Sequence, residues 1–328
     1  MKRHKKSWYL LIAIISLLLA GDIGFYIMGK YYPNVLNKGD TSLPQQNTEA
    51  LQTQQAIKTQ LNDITLNSKY AAVLDLEDCT PLYEKNIEQR IYPASITKVM
   101  SAIVALDHID DLSKTVTVEA KDLKGLIEAN ASVAGLEEGD TVTYEDLLYA
   151  LILPSGADAA NVLANHLFGS MDAFVKEMNV KAKAYGMIST HFVNATGLHD
   201  DNHYTTIQDL EQMMKHAWIN TAFQKVLTTT KYEIPSTNIK MKSTLLQYAA
   251  ADESLTLKND SLAFKGGQII GGKSGYTLEA ECCLVSIAKM DNGHIYMLIS
   301  AKASGEPLSD HKHINDAIHV YEEIAKAI

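Results

Sequence analysis

The sequence has few cysteines and a deficit of positive charge, and each shortage excludes a class of protein. Three cysteines, Cys79, Cys282 and Cys283, cannot all pair within one chain, and no Cys-x-x-Cys spacing occurs. Neither a disulfide framework nor a cysteine-rich metal site is therefore expected. Acidic residues outnumber basic ones by 39 to 29, which gives a formal net charge of −10. Because phosphate binding needs a basic face, nucleic acid is excluded as the main partner.

The remaining composition is that of an ordinary globular protein. Of 328 residues, 46% are hydrophobic and 21% are charged. These values exclude a wholly disordered, collagenous or polytopic membrane chain. The length fits one domain of roughly 250 residues with additional segments.

The amino-terminal end combines a basic cluster with a long apolar run. Trp8–Met28 holds 21 mostly apolar residues, enough for one helix across a bilayer. We expect a single transmembrane helix that anchors the protein in the cell membrane. The basic cluster should stay cytoplasmic, so the rest of the chain would lie outside. The alternative is a cleaved signal peptide whose apolar core ends at Ala20, and it also predicts export. The cluster comprises Lys2, Arg3, Lys5 and Lys6.

Composition divides the chain into three parts. Residues 1–28 are the basic flank and the anchor. Residues 29–66 are polar and rich in Gln, and we interpret them as a linker in which Thr48–Leu61 is a weak helix candidate. Residues 67–328 have the pattern of apolar segments and turn residues that is typical of a folded domain.

Patterns within residues 67–328 predict an α+β fold. Strand candidates stand at both ends, and Asn292-Gly293 is a strong hairpin signal between the last two. Helical periodicity dominates the stretch between them. We therefore predict one antiparallel sheet flanked by helices, with a mostly helical subdomain. The candidate strands are Tyr70–Leu76, Pro81–Lys85, Ile270–Tyr276, Cys282–Met290 and His294–Ala301. The candidate helices include Tyr144–Leu153, Asp158–Phe168, Met171–Tyr185, Ile207–Trp218 and a closing helix around Ile314–Tyr321.

The first chemical motif is Ser95-Ile96-Thr97-Lys98, after Pro93. Ser and Lys at positions i and i+3 share a helix face, so the amine can reach the hydroxyl. Lysine can act as the base for a serine nucleophile if burial or a neighbouring cation disfavours its charged form. The spacing alone is weak, because Ser286–Lys289 and Ser309–Lys312 repeat it.

Two further motifs follow along the chain. Ser155-Gly156-Ala157 lies between two predicted helices, and Lys273-Ser274-Gly275 lies in a predicted strand. Lys273 and Ser274 supply a cation and a hydroxyl that could hold a carboxylate. Each motif taken singly is better explained as a turn or as a glycine-rich strand.

In this order the three motifs resemble the Ser-x-x-Lys, Ser-x-Asn and Lys-Thr-Gly set of penicillin-recognising serine enzymes. The stretches Tyr144–Ala164, Asn194–Thr206 and Gly271–Thr277 more narrowly resemble the serine-type D-alanyl-D-alanine carboxypeptidases, the low-molecular-mass penicillin-binding proteins. The resemblance covers roughly residues 67–305 and implies a β-lactamase/transpeptidase-like fold.

The resemblance also implies a mechanism without a cofactor or a metal. Ser95 would attack the carbonyl between two terminal D-alanines of a peptidoglycan stem peptide, and Lys98 would take its proton. Ser155 would pass a proton to the leaving D-alanine, and backbone N–H groups of Ser95 and Tyr276 would form the oxyanion hole. β-Lactam antibiotics would acylate the same serine. The substrate-binding residues implied are Lys273, Ser274, Gly275 and Tyr276.

Two residues depart from the family pattern. Ala157 stands where the second motif usually has Asn, which puts the catalytic rate in question, and Ser274 replaces the usual Thr but keeps a hydroxyl. The resemblance further leads us to expect neither the β-rich second domain nor the carboxy-terminal amphipathic anchor of many relatives. The amino-terminal segment would take over anchoring.

Three alternative functions share part of this evidence. A zinc carboxypeptidase would need a ligand set that His199, His203, His311 and His313 do not supply, and we expect these histidines in loops and at the surface. A β-lactamase would share Ser95 but needs efficient deacylation. A membrane-tethered penicillin-binding or sensor domain with little turnover would be consistent with Ala157.

Overall fold

The computed structural model describes residues 45–328, with side chains from residue 48 onward. The predicted anchor Trp8–Met28 lies outside these residues. Within residues 45–328, no helix is both long enough and apolar enough to cross a membrane. The compact unit that carries the site described below runs from Gln54 to Ile328.

A seven-stranded antiparallel sheet forms the centre of this unit. Its strand order is β2-β1-β11-β10-β9-β8-β7, so the first strand of the chain pairs with the last one, and β2 pairs with β1 at the edge. The predicted hairpin joins β10 to β11 through the turn at Asn292-Gly293. The strands are β1 (Ser68–Asp75), β2 (Pro81–Lys85), β7 (Thr256–Lys258), β8 (Ser261–Phe264), β9 (Gly267–Thr277), β10 (Glu281–Met290) and β11 (Ile295–Ala303).

Helices are the main regular structure of the chain between β2 and β7. Two short two-stranded sheets accompany them, β3 (Thr115–Thr117) with β4 (Thr141–Thr143), and β5 (Lys231–Glu233) with β6 (Lys240–Lys242). The helices are α1 (Gln45–Leu61), α2 (Thr97–His108), α3 (Ala120–Leu123), α4 (Tyr144–Ile152), α5 (Ala157–Phe168), α6 (Met171–Ala184), α7 (Ile207–Ile219), α8 (Thr221–Leu227), α9 (Thr244–Ala250) and α10 (Lys312–Ala327).

The sheet separates two hydrophobic cores. Alternate residues of β1 point to opposite faces: Ala72 and Leu74 belong to one core, Ala71 and Val73 to the other. The larger core lies between the sheet and the helices α2 and α4–α8. The smaller core lies between the opposite face and the helices α9 and α10. The prediction of an antiparallel sheet flanked by helices is therefore confirmed.

The folded unit begins earlier than the composition indicated. Residues 54–66 belong to the segment 29–66 that the composition predicts to be a polar linker. In the structure, however, Ile57 and Leu61 are fully buried in the smaller core, and Leu66 is nearly so. The weak helix candidate Thr48–Leu61 corresponds to α1. Two apolar residues are enough, because Ile57 and Leu61 are four residues apart, share one face of the helix and pack in the core that α10 also covers.

Candidate active site

Ser95 lies on a tight turn directly before a buried helix. Ala94–Ile96 form one turn of 3₁₀-helix, and α2 begins at Thr97. Ser95 therefore lies two residues before the α-helix and is not its first residue. Lys98 stands in the first turn of α2, and its Nζ is 3.1 Å from the Ser95 Oγ. The structure therefore brings the candidate nucleophile and its candidate base within hydrogen-bond distance.

Close backbone contacts hold this turn on two sides. Ala94 has a φ of +47°, a left-handed conformation that an L-residue rarely adopts. A Cβ at position 197 would lie 1.9 Å from the Ala94 carbonyl oxygen, and a Cβ at position 275 would lie 2.9 Å from the Ser95 nitrogen. Gly197 and Gly275 therefore let a loop and strand β9 approach the serine more closely than any side chain would permit.

Lys98 is buried, and no carboxylate contacts it among residues 48–328. Its Nζ donates to the carbonyl oxygen of Thr196 at 2.6 Å, and the residue is 2% exposed. Burial lowers the pKa of Lys98 to about 7, although the charge of Asp158 acts in the opposite direction. A large share of the molecules at neutral pH thus carries an amine that can accept a proton from Ser95.

A histidine supports the serine turn from behind. The Val193 N–H donates to His203 Nδ1 at 3.1 Å, so the ring hydrogen is on Nε2, which is 2.7 Å from the Thr97 Oγ1. The Thr97 hydroxyl in turn donates to the Ala94 carbonyl oxygen at 2.8 Å. Burial lowers the pKa of His203 to about 4, so the ring is neutral at pH 7. This chain of hydrogen bonds ends on the residue next to Ser95.

The second and third motifs meet at a buried lysine. Lys273 Nζ is 3.0 Å from the Ser155 Oγ and donates to its own strand at the Ser274 carbonyl oxygen, 2.6 Å away. Ser155 has a φ of +66°, another left-handed residue in a turn before a helix. Burial, assisted by the nearby charge of Lys98, holds the pKa of Lys273 well below its usual value. A substrate carboxylate beside it would favour the charged form again.

A hydroxyl pair lies next to this lysine. The Ser274 Oγ and the Thr244 Oγ1 are 2.6 Å apart, and both side chains are buried at the base of a cleft. Thr244 is the first residue of α9, 30 residues before Ser274. The two hydroxyls and the Lys273 amine form a group of donors suited to a carboxylate.

Asp158 organises the loop opposite strand β9. Its carboxylate accepts backbone N–H groups of Ala134, Gly135 and Leu136 at 2.9 to 3.1 Å. Ala157, the residue that replaces the usual Asn, donates its own N–H to the Ser132 carbonyl oxygen at 2.8 Å. The start of α5 therefore fixes a loop that forms one wall of the cleft.

The cleft has a volume of about 690 Å³ and runs along the edge of β9. Strand β8 pairs only with residues 267–269 of β9, so the later part of β9 has no strand partner on that side among residues 45–328. Besides Ser95, Ser155, Thr244 and Ser274, the cleft is lined by Ala129, Asn130, Ser132, Leu198, His199, Tyr248, Gly275, Tyr276, Thr277, Leu278, Glu279 and Pro307.

All seven site residues predicted from the sequence lie in or directly beneath this cleft. Sequence reasoning missed Thr244, Asp158, His203 and the Thr196 carbonyl. His203 and Thr196 fall within Asn194–Thr206, a stretch that resembles the family, and this resemblance could have indicated them. No such signal marked Thr244, since only the fold brings α9 to β9.

The histidines have a different environment from the one expected. His203, His311 and His313 are 2%, 6% and 1% exposed, so the expectation of surface residues is wrong for these three. Within residues 45–328, no group of three or more His, Cys, Asp or Glu side chains is arranged to hold a metal ion. The serine of the second Ser-x-x-Lys spacing, Ser286, is buried in β10 and bonds to Tyr321, while Ser309 lies on an exposed turn.

Comparison with protein families gives one match over most of the chain. A family model described as D-alanyl-D-alanine carboxypeptidase, peptidase family S11, matches residues 52–302. Bacillus subtilis D-alanyl-D-alanine carboxypeptidase DacF is 29% identical over 232 residues, which is 70% of this chain and 56% of that protein. Mycobacterium tuberculosis DacB2 is 34% identical over 198 residues, 60% of this chain and 62% of that protein. The chain thus spans less than two thirds of the length of these two relatives.

Solved structures show the same similarity in three dimensions. The crystal structure of the Streptomyces K15 DD-transpeptidase superposes with a TM-score of 0.66 at 26% identity, over 79% of this chain and 98% of that one. A Mycobacterium tuberculosis D-alanyl-D-alanine carboxypeptidase superposes with a TM-score of 0.65 at 28% identity, over 79% and 91%. The predicted transpeptidase-like architecture is therefore confirmed.

Proposed function

The chain belongs to the D-alanyl-D-alanine carboxypeptidase family, peptidase family S11, and from this premise we propose that it removes the terminal D-alanine from peptidoglycan stem peptides that end in D-Ala-D-Ala. The observation that carries the proposal is the 3.1 Å approach of the buried Lys98 amine to Ser95 at the base of the cleft. A serine with a neutral amine beside it has the base that nucleophilic attack requires.

Substrate binding follows from the free edge of β9. An extended peptide can add to that edge as a further strand, with main-chain hydrogen bonds along it. Its terminal carboxylate would reach Lys273, Ser274 and Thr244, and its scissile carbonyl would then lie beside Ser95 and Tyr276. In this orientation the peptide runs antiparallel to β9.

The reaction would proceed through an acyl-enzyme. Lys98 takes the proton of Ser95, whose Oγ forms a bond to the carbonyl carbon. The C–N bond then breaks, and the leaving D-alanine amine receives a proton through Ser155, which is hydrogen-bonded to Lys273. Backbone N–H groups of Ser95 and Tyr276 would stabilise the oxyanion. Water then hydrolyses the ester and regenerates Ser95.

A second candidate differs only in the last step. The name of the Streptomyces K15 neighbour is DD-transpeptidase. A transpeptidase passes the acyl group to an amine instead of to water, and the same cleft and acyl-enzyme would serve. The alternative of a binding domain with little turnover is supported by Ala157, because its methyl group cannot make the hydrogen bonds of an amide.

The test combines product release with covalent labelling. Purified protein incubated with diacetyl-L-Lys-D-Ala-D-Ala should release free D-alanine, and benzylpenicillin should add its mass to the peptide that contains Ser95. Ser95→Ala should abolish both results. Ser309→Ala is the matched control, since Ser309 has the same spacing to a lysine but is exposed and does not line the cleft.

The outcomes separate the three candidates. If added glycine accepts the acyl group, so that a new peptide forms and less hydrolysis product is found, the transpeptidase is favoured. If the wild type is labelled by penicillin but releases no D-alanine, and Ala157→Asn does release D-alanine, the binding domain is favoured. Absence of both labelling and release in a folded protein contradicts the proposed function.

We also propose that the domain acts outside the cytoplasm, attached to the cell membrane. The support is the apolar run Trp8–Met28 with its basic flank. The substrate class agrees with this location, because the proposed enzyme acts on cell-wall peptides.

A further inference from the structure

The cleft is electrostatically asymmetric along its length. Its base holds the two buried lysines, Lys98 and Lys273. Towards the other end, the turn between β9 and β10 carries Glu279, and the adjoining loop carries His199. Among the residues that line the cleft, Glu279 is the one carboxylate.

The carboxylate of Glu279 is available to a ligand. Its side chain is 43% exposed, and among the described residues its single ionisable partner within 4.0 Å is His199 Nδ1, at 3.7 Å. The other nitrogen of that ring is 3.6 Å from Asp201. The Lys302 Nζ donates to the backbone carbonyl oxygen of Glu279 at 2.9 Å and lies 3.6 Å from the Glu281 carboxylate.

Neighbouring groups make this end of the cleft acidic. The pKa of the Tyr276 phenol is raised first by burial and then by the charges of Glu306, Glu281 and Glu279. These three carboxylates therefore act on the same part of the cleft wall. These carboxylates would attract a cation in this position, and Lys302 offsets only part of their charge.

The distance from the nucleophile fits an upstream side chain of the substrate. Gly275 contacts the Ser95 turn, and Glu279 follows four residues later, at most about 13 Å along an extended chain. In the antiparallel orientation, one residue separates the scissile bond from the residue before D-Ala-D-Ala, whose Cα therefore lies about 5 Å upstream of the scissile carbonyl carbon. A long side chain on that residue, extended towards the β9–β10 turn, spans the remaining gap to the Glu279 carboxylate.

On the basis of the proposed function, we propose that Glu279 is a specificity-determining residue that favours peptides with a free side-chain amine on the residue immediately before D-Ala-D-Ala. The amine pairs with the Glu279 carboxylate while the terminal carboxylate pairs with Lys273. The asymmetric cleft thus matches a peptide with a cation at one end and an anion at the other.

Two peptides that differ in one acetyl group test this inference. Nα-acetyl-L-Lys-D-Ala-D-Ala keeps the side-chain amine, and the Nα,Nε-diacetyl peptide lacks its charge. For the wild type, kcat/KM for D-alanine release should be about two- to fivefold higher with the free amine, a range typical of a partly exposed ion pair. The ratio should fall with rising ionic strength.

Variants at position 279 give the decisive readout. In Glu279→Gln the ratio of the two kcat/KM values should fall close to one, and in Glu279→Lys it should fall below one. Glu253→Gln removes an exposed carboxylate elsewhere and should keep the wild-type ratio. Because each ratio compares two substrates on the same preparation, differences in folding or concentration cancel.

The possible failures are distinguishable. If the wild type turns over both peptides with equal kcat/KM, or if Glu279→Gln keeps the wild-type ratio, the inference is overturned while the proposed function stands. If the folded wild type releases D-alanine from neither peptide, the proposed function is overturned and the inference with it.

Discussion

Two buried lysines determine the chemistry at the scale of single residues. Lys98 and Lys273 lie within a few ångströms of Ser95 and Ser155, and neither has a carboxylate in contact among the described residues. A buried ammonium group without a paired charge is unfavourable, so both groups shift towards the neutral amine. The same burial that makes these residues costly for folding makes Lys98 suitable as a base.

The acylation rate should therefore depend on pH through Lys98. Because burial lowers its pKa to about 7, the amine is mostly protonated below that value and cannot accept a proton. We expect the second-order rate of acylation by benzylpenicillin to fall about tenfold per pH unit between pH 6 and pH 5 and to level off above pH 8. Stopped-flow measurements on the folded protein would check this. A rate that stays constant from pH 5 to pH 8 contradicts the role of Lys98 as the base.

His203 should act on Ser95 through Thr97 and Ala94. His203→Ala removes the donor to Thr97 Oγ1, and we expect acylation to slow by about 10- to 100-fold because the serine turn is less well positioned. His203→Gln can present an N–H near the same place and should recover most of the rate. Acylation rates and thermal unfolding of both variants would separate positioning from stability. Equal rates in the two variants, at equal stability, would rule out the hydrogen-bonded relay.

At the scale of elements, short turns and helix starts position the site. Ser95 precedes α2, Ser155 precedes α5 and Thr244 begins α9, so three helix starts point towards the same edge of β9. At the starts of α2 and α5 the helix dipole favours an anion, which suits both the substrate carboxylate and the oxyanion.

Asp158 should be the main support of the cleft wall opposite β9. In Asp158→Asn, the oxygen that becomes an amide NH₂ can no longer accept backbone N–H groups: Oδ2 accepts from Ala134, Gly135 and Leu136, and Oδ1 accepts from Ala134 and Ala159. We expect a loss of about 1–3 kcal/mol in the free energy of unfolding, seen as a lower Tm. Asp291→Asn, in the exposed β10–β11 turn, is the control and should leave Tm within error. An unchanged Tm in Asp158→Asn would show that the loop is held by other contacts.

At the scale of the whole molecule, the site depends on contacts between distant parts of the chain. Lys273 and Ser155 are 118 residues apart, and His203 and Thr97 are 106 residues apart. The larger core between the sheet and the helical layer brings these segments together. Activity should therefore be lost with global unfolding rather than survive in fragments.

The anchor prediction also belongs to the whole molecule. The apolar run Trp8–Met28 with its basic flank should keep the full-length protein in the membrane fraction of the cell. Fractionation followed by determination of the mature amino terminus would test it. A mature chain that starts near residues 21–30 and is recovered free of the membrane would support the cleaved signal peptide instead.

Local patterns were sufficient for most elements of the fold. The strand and turn signals of β9, β10 and β11 and the helical periods of α4–α7 depend on neighbours a few residues away, and the bounds of these elements were predicted to within three residues. The helix α1 was underrated because its polar composition resembles that of a linker. Its burial depends in part on β10, β11 and α10, which lie more than 200 residues further along the chain.

The sequence by itself determined the family, because three short motifs in a fixed order carry the chemistry and their flanks carry the resemblance. Only the tertiary structure decided how those residues act. The neutral state of Lys98 depends on burial, the Thr244 hydroxyl meets Ser274 because α9 packs beside β9, and the Glu279 carboxylate becomes part of the cleft through the β9–β10 turn. Burial and long-range contacts are properties of packing, and no local sequence pattern records them.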